Sequence, residues 1–163
     1  MGIFNLFKKD PTETWSENRL IEKVLNFRNG SFGGINFGDK PELLIKFGKP
    51  ENAKPFKKKS FIYGKEGFIV SFDETTINYF SFALVDNEYE NIIGSEFQLV
   101  DMKGNYHTLS NLTTVDDLEK ILGKATEIYE SEEGEDRVYN YGKYQIDIEL
   151  SPDGKLVCFD VSI

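Results

Sequence analysis

At 163 residues the chain has the length of one ordinary domain, and a chain of this size buries roughly two-thirds of its unfolded surface. A hydrophobic content of 39% with 14 Phe, 8 Tyr and 1 Trp excludes intrinsic disorder, because that much aromatic area offsets chain entropy. The net charge of −9 sets a negative field that repels phosphate backbones, so nucleic acid is not expected as a partner unless the one basic segment, residues 46–65, acts alone.

In chain order, the first stretch, Met1 to Lys9, holds Ile3, Phe4, Leu6 and Phe7 beside Lys8 and Lys9. It carries no cleavable apolar region, and it is too short to anchor in a membrane by itself. Glu13 to Phe27 reads as an amphipathic helix with Leu20, Ile21, Val24 and Phe27 on one stripe, closed by Asn29-Gly30 and expected to lie on a sheet as a lid. Gly30-Ser31-Phe32-Gly33-Gly34 follows a helix rather than preceding one, so it is read as a flexible linker and not a phosphate cradle.

A repeat then organises the rest. Asp39 to Pro50 lines up with Thr114 to Ala125, Tyr63-Gly64-Lys65 with Tyr141-Gly142-Lys143, and Ile77, Phe80 and Phe82 with Leu156, Phe159 and Val161. Each half opens on a short helix. Asp39 with Glu42, and Thr114 with Asp117, have capping-box spacing, the second being the weaker because Glu or Gln is preferred there. Gly48 and Gly123 stop these helices, and Pro50 prevents the first from resuming. Two-turn helices melt alone, so the Leu43/Phe47 and Leu118/Leu122 edges must rest on a sheet.

Alternating segments follow each helix, clearest in Tyr144 to Leu150, where Gln145, Asp147 and Glu149 share the wet face. A hairpin from Phe97 to Asp101 and Asn105 to Leu109 bridges the halves, and Ser151-Pro152-Asp153-Gly154-Lys155 turns the chain into a closing strand, Leu156 to Ile163. The expected fold is α+β: two tandem repeats of short helix plus antiparallel meander, forming a sheet with helices on one face and an open face. The parts are a tail and helix over 1–30, repeat one over 31–95 and repeat two over 96–163, in one compact unit.

The short helix ending in Phe47-Gly48-Lys49-Pro50 or Leu122-Gly123-Lys124, followed by a meander with Tyr-Gly-Lys at a strand end, resembles the tandem-repeat fold of the beta-lactamase inhibitor protein family. More distantly it is similar to small outer-membrane lipoproteins of the SmpA/OmlA type. The likeness covers about residues 34–163. It implies a continuous sheet whose concave face grips a protein partner.

Chemistry is poorly supplied. His107 is the single histidine and Cys158 the single cysteine, so an internal disulfide and a Cys-rich zinc site are excluded, and a reducing, cytoplasmic setting is expected. No nucleophile with an oriented base is legible, and no catalytic residue, metal or cofactor is assigned. Charge is uneven. Residues 46–65 carry seven Lys against Glu51, whereas 66–100 carry seven acids and no Lys or Arg. Lys57, Lys58 and Lys59 fall in a loop of the first half, and Glu132, Glu133 and Glu135 in the corresponding loop of the second, which would make the molecule bipolar.

The expected function is a non-enzymatic protein-binding module, of inhibitor or immunity-antidote type, that meets a basic protein through Tyr79, Tyr139, Tyr141, Asp147 and Glu149 on the open sheet face. The alternatives are a small enzyme using Asp147 and Glu149 as acid and base, and peripheral membrane contact through Ile3, Phe4, Leu6, Phe7, Lys8 and Lys9. Stable membrane insertion is not expected.

Overall fold

In a computed structural model, residues 10–17, 21–88 and 91–163 are described. The protein is mostly β, with few short helices. Its strands, in chain order, are β1 (Val24–Asn26), β2 (Ser31–Phe32), β3 (Ile35–Asn36), β4 (Ser60–Tyr63), β5 (Phe68–Phe72), β6 (Ile77–Ala83), β7 (Phe97–Val100), β8 (Tyr106–Leu109), β9 (Glu127–Ser131), β10 (Gly134–Tyr141), β11 (Tyr144–Leu150) and β12 (Leu156–Ser162). The α-helices are α1 (Pro55–Lys58) and α2 (Val115–Leu122).

Two sheets form, one of seven strands in the order β4-β5-β6-β12-β11-β10-β9 and one of five in the order β3-β2-β1-β7-β8. The larger is antiparallel throughout. The smaller is mixed, because β1 runs parallel to β7. At the centre of the large sheet β6 meets β12 with Ser81 opposite Asp160, Phe80 opposite Val161 and Phe82 opposite Phe159.

Among the described residues the expected lid helix does not form. Within 13–27 the described residues hold the end of a single 3-10 turn, Pro11–Thr14, capped by Asp10, and then β1. Residues 18–20, and so Leu20 of the expected stripe, lie outside the described residues, as do 1–9. Val24-Leu25-Asn26 uses period two instead, with Leu25 fully buried opposite Phe32 on one side and Leu99 on the other. Non-local strand pairing has overridden a local helical spacing. For the same reason Gly30 to Gly34 is not a linker: Ser31 and Phe32 are a buried strand. The hairpin of β7 and β8 forms with the expected partners, but it pairs onto β1 in the second sheet.

The two short helices also differ from each other. Pro41–Phe47 is a 3-10 helix with Lys40 at its N-cap and no side-chain cap. Asp39 is engaged elsewhere, accepting from the amide and the side chain of Asn36. With three residues per turn, the buried positions are Pro41, Leu44 and Phe47, so Leu44 replaces the expected Leu43, which is exposed. Tyr63 lies beneath, its hydroxyl donating to the carbonyls of Gly48 and Leu44. The second helix, α2, has the complete Thr114/Asp117 capping box, so the box expected to be the weaker is the one that forms. Leu118 and Leu122 are buried as expected.

Phenyl rings join the sheets. Phe97 of β7 stacks on Phe82 at 4.3 Å and meets Phe159 edge-on at 5.6 Å. Phe32 of β2 packs edge-on against Phe68, Phe80, Phe82 and Phe47 at 4.8 to 5.8 Å. Each such pair contributes about 0.5–1.5 kcal/mol beyond the area it buries. Removing the Phe32 ring should therefore cost about 3–5 kcal/mol of unfolding free energy. Urea unfolding of Phe32→Ala checks this, and a loss below about 1 kcal/mol would show that the second sheet is not held by this ring.

Candidate functional site

Strand alternation fixes which side chains face solvent. With Phe80, Phe82, Phe159, Val161, Ile146 and Ile148 buried, Tyr79, Ser81, Cys158, Asp160, Asp147 and Glu149 turn to the opposite, outer side of the large sheet. The registers arrange that face in rows. One row runs Ser81, Asp160, Asp147, Val138, Glu127; the next runs Ala83, Cys158, Glu149, Asp136, Tyr129. Asp160 thus lies directly across from Asp147, and Glu149 directly across from Asp136. No Lys or Arg occupies either row. Like charges directly opposite one another destabilise a sheet, so these pairs cost stability.

The centre of the face is a small hydrogen-bonded cluster. The Tyr79 hydroxyl donates to Asp160 Oδ2 at 2.5 Å, the Cys158 thiol donates to Asp160 Oδ1 at 3.1 Å, and Ser81 Oγ lies 3.6 Å from Cys158 Sγ. Beside it, Gln145 donates to both oxygens of Asp147 at 3.1 and 3.2 Å. Burial, and then the charge and hydrogen bond of Asp160, push the Cys158 thiol far above its ordinary range. Burial and then Asp160 do the same to the Tyr79 phenol. Glu149 is also raised, by burial first and then by the charges of Asp136, Asp160 and Glu133.

Two shallow depressions cross the face. One, of about 410 Å³, is lined by Ile69, Ser81, Ala83, Glu149 and Cys158 among others. The second, of about 320 Å³, is lined by Tyr129, Asp136, Arg137, Glu149, Cys158 and Asp160 among others. They share Glu149 and Cys158. Among the described residues no three His, Cys, Asp or Glu side chains are grouped to hold a metal ion, and no helix is long and apolar enough to cross a membrane.

Of the residues expected at a partner site, Tyr79, Asp147 and Glu149 come together on this face. Tyr139 and Tyr141 do not. They share the parity of Arg137, which points inward to bond Glu119 and Glu135. Tyr139 is fully buried, while Tyr141 packs edge-on against Phe27 at 5.1 Å and its hydroxyl accepts from the Met102 amide at 3.0 Å, linking the two sheets. Both are corrected to core and junction residues. Asp136, Asp160, Glu127 and Tyr129 were missed. Parity in Leu156 to Ile163 already set Asp160 with Cys158, whereas Asp136 and Glu127 were hidden in a segment without apolar alternation.

The charged segments are not a pair of loops. Lys57 and Lys58 end the short helix α1 and Lys59 caps it in the left-handed conformation, just before β4. Glu132 and Glu133 form the tight turn between β9 and β10, and Glu135 lies within β10. Since β4 and β9 bound the large sheet on opposite sides, basic and acidic segments stand about 30 Å apart at a spacing of about 4.8 Å per strand.

His107 is on the other sheet, with Nε2 3.1 Å from Asp101 Oδ2. Asp101 is buried and also accepts from the amides of Lys103 and Asn105 and from the Asn105 side chain. Burial alone would raise the Asp101 carboxyl, but the Asn105, His107 and Lys103 hydrogen bonds outweigh it and hold the group well below the carboxylate range.

Compared with known proteins, the chain matches no family model and no curated protein. Among solved structures it is similar to the crystal structure of YjgB, a DUF4309 family protein from Bacillus subtilis subsp. subtilis str. 168. The identity is 17%, over 76% of this chain and 77% of that one, with a TM-score of 0.47. That finding replaces the expected likeness to the beta-lactamase inhibitor proteins, which is withdrawn: the similarity found is to YjgB.

Two outcomes follow from these groups. Cys158 should alkylate with iodoacetamide at pH 8 at least tenfold more slowly than a free thiol of pKa about 8.5, and Asp160→Asn should speed it. Equal rates in the two proteins would remove Asp160 as the cause. Because the folded Asp101 carboxyl is depressed below its unfolded value of about 3.9, its stabilisation is present above that pH and is lost as pH falls through the folded value. The stability gap between wild type and Asp101→Asn in urea should therefore be largest near pH 7 and shrink toward pH 2. A constant gap would mean that the charge contributes nothing.

Proposed function

We propose that this chain is a non-enzymatic protein-binding module, of inhibitor or antidote type, that uses the outer face of its seven-stranded sheet to hold a basic protein. The supporting observation is the pair of acid-on-acid cross-strand contacts, Asp160 with Asp147 and Glu149 with Asp136. Such contacts lower stability in the free protein, and a Lys or Arg from a partner relieves the repulsion at once. Glu149, raised by burial first and then by the charges of Asp136, Asp160 and Glu133, would be favoured in its charged form by a cation beside it.

The order of the large sheet supports a finer reading of how the platform arose, namely one unit written twice. The strands β4, β5, β6 and β10, β11, β12 lie in opposite order about the central β6/β12 pair, and Ser81 faces Asp160, its counterpart in the sequence repeat.

Catalysis is the weaker reading. The thiol that could act as a nucleophile is pushed toward its neutral form, the histidine sits on the other sheet, and the carboxylates lie in open, shallow ground rather than a closed pocket.

The test is affinity capture from an extract of the native host, comparing wild type with Asp147→Lys/Glu149→Lys. The expected result is a basic protein retained by the wild type, released by raised salt, and recovered at least tenfold less on the variant, whose thermal melt shows it folded. Equal recovery on both proteins, or no retained protein, overturns the reading.

A further inference from the structure

The two ends of the large sheet are finished differently. At β4 the outer backbone is closed by the preceding segment: the Glu51 amide donates to the Ile62 carbonyl at 2.8 Å, Asn52 Nδ2 donates to the Ser60 carbonyl at 2.7 Å, and Asn52 Oδ1 accepts from the Ile62 amide at 2.9 Å. At β9 nothing comparable exists among the described residues. β9 pairs with β10 alone, and each of its five residues is exposed. Alternate residues of an edge strand turn their N–H and C=O groups away from the sheet, leaving a template for one more strand.

Side chains along that template say what kind of strand it takes. Ile128 is 48% and Tyr129 56% exposed. Ile128 lies on the side of the buried core, opposite Arg137, and Glu127 and Tyr129 lie on the outer acidic face. Glu127, Glu130, Glu132 and Glu133 surround them, and the nearby cation Arg137 is already bonded to Glu119 and Glu135. The hairpin requires glycine at position 134 (φ +144°), where a Cβ would lie 2.0 Å from the Leu150 carbonyl oxygen.

We propose that the open edge of β9 binds an extended basic segment of a partner protein by strand addition. Apolar residues of that segment cover Ile128 on the inner side, and its Lys or Arg residues meet Glu127 and the Tyr129 ring on the outer side. This rests on the binding reading above and specifies how the partner engages. A second copy of the chain is the poorer occupant: β9 against β9 brings like charges together, and the Lys-rich end of another copy offers no free strand edge, because Glu51 and Asn52 close it.

The probe is a seven-residue capped peptide alternating lysine and valine, titrated into the full chain while backbone amide shifts and hydrogen exchange are followed by NMR. The expected result is saturable binding, with shifts and new exchange protection at 127–131 and none at 60–63. Binding should weaken about tenfold in Glu127→Lys/Glu130→Lys, and to the same extent or more when alternate peptide nitrogens are methylated, which keeps the charge and removes the donors. Equal binding by the methylated peptide overturns strand addition, and so do absence of binding and shifts confined to 147 and 149. Asp147→Lys/Glu149→Lys separates the two readings. Loss of the captured host protein with edge binding retained supports both, while loss of peptide binding in that variant, with none in the edge variant, sinks the edge and leaves the face.

Discussion

The phenyl rings between the sheets dictate which side chains the centre of the large sheet turns outward. Phe97 lies against Phe82 and Phe159, the pair that faces across the central β6 and β12 strands. Once those two rings are committed inward, period two leaves no choice for their neighbours: Ser81, Cys158 and Asp160 must turn to the outer side of the sheet. A slip of one residue would bury Asp160 and expose Phe159. The aromatic junction therefore fixes the register on which the outer rows of acids depend, and the small sheet, although built of short strands, acts as the cover that keeps the other side wet.

How much of this the sequence displays varies by element, for physical reasons. A segment whose alternation is complete within a few residues, such as Tyr144 to Leu150, is legible because every second side chain is apolar, whereas Leu156 to Ser162 alternates only from Cys158 onward, past a register shift that leaves Leu156 buried and Val157 half-buried. The β7/β8 hairpin is legible from the residues around Lys103-Gly104. What sequence hides is pairing at a distance. Leu25 is a strand residue because Leu99, 74 positions later, and Phe32 close on it, and no local spacing announces a parallel partner. The 3-10 form of Pro41–Phe47 is hidden for a related reason: Leu43, Leu44 and Phe47 fit an α stripe and a three-residue stripe almost equally, and Tyr63 beneath the carbonyls of Leu44 and Gly48 decides.

The site was half legible. Asp147 and Glu149 stand on a clean alternation, and their facing follows from it. Tyr139 and Tyr141 stand in Gly134 to Tyr141, where polar residues occupy both parities, so composition favoured a contact surface while Phe27 and Met102 claim the Tyr141 ring and hydroxyl. The acidic run hid its strands because β9 buries nothing. A strand with no dry side has no hydrophobic pattern to betray it, and such a strand persists only through its ladder to β10.

That last property joins the face to the edge. The β9–β10 hairpin carries Asp136 into the row shared with Glu149 and Cys158, and it also ends the sheet. Natural edges are commonly blunted by lysine, proline, a bulge or a covering loop. The β4 end uses a covering segment, whereas β9 relies on glutamates. Glutamate repels other acidic edges, including its own copies, yet attracts a basic strand, so it blunts the edge selectively. The same sign of charge runs from Asp160 at the sheet centre to Glu127 at its rim, so on the proposed reading a basic partner drawn to the face would be carried toward an edge of the large sheet whose backbone, among the described residues, is open to pairing. Charge on the rows and open backbone on the rim are then two parts of a single surface, and the cost in stability is concentrated on the half of the sheet away from Lys57, Lys58 and Lys59.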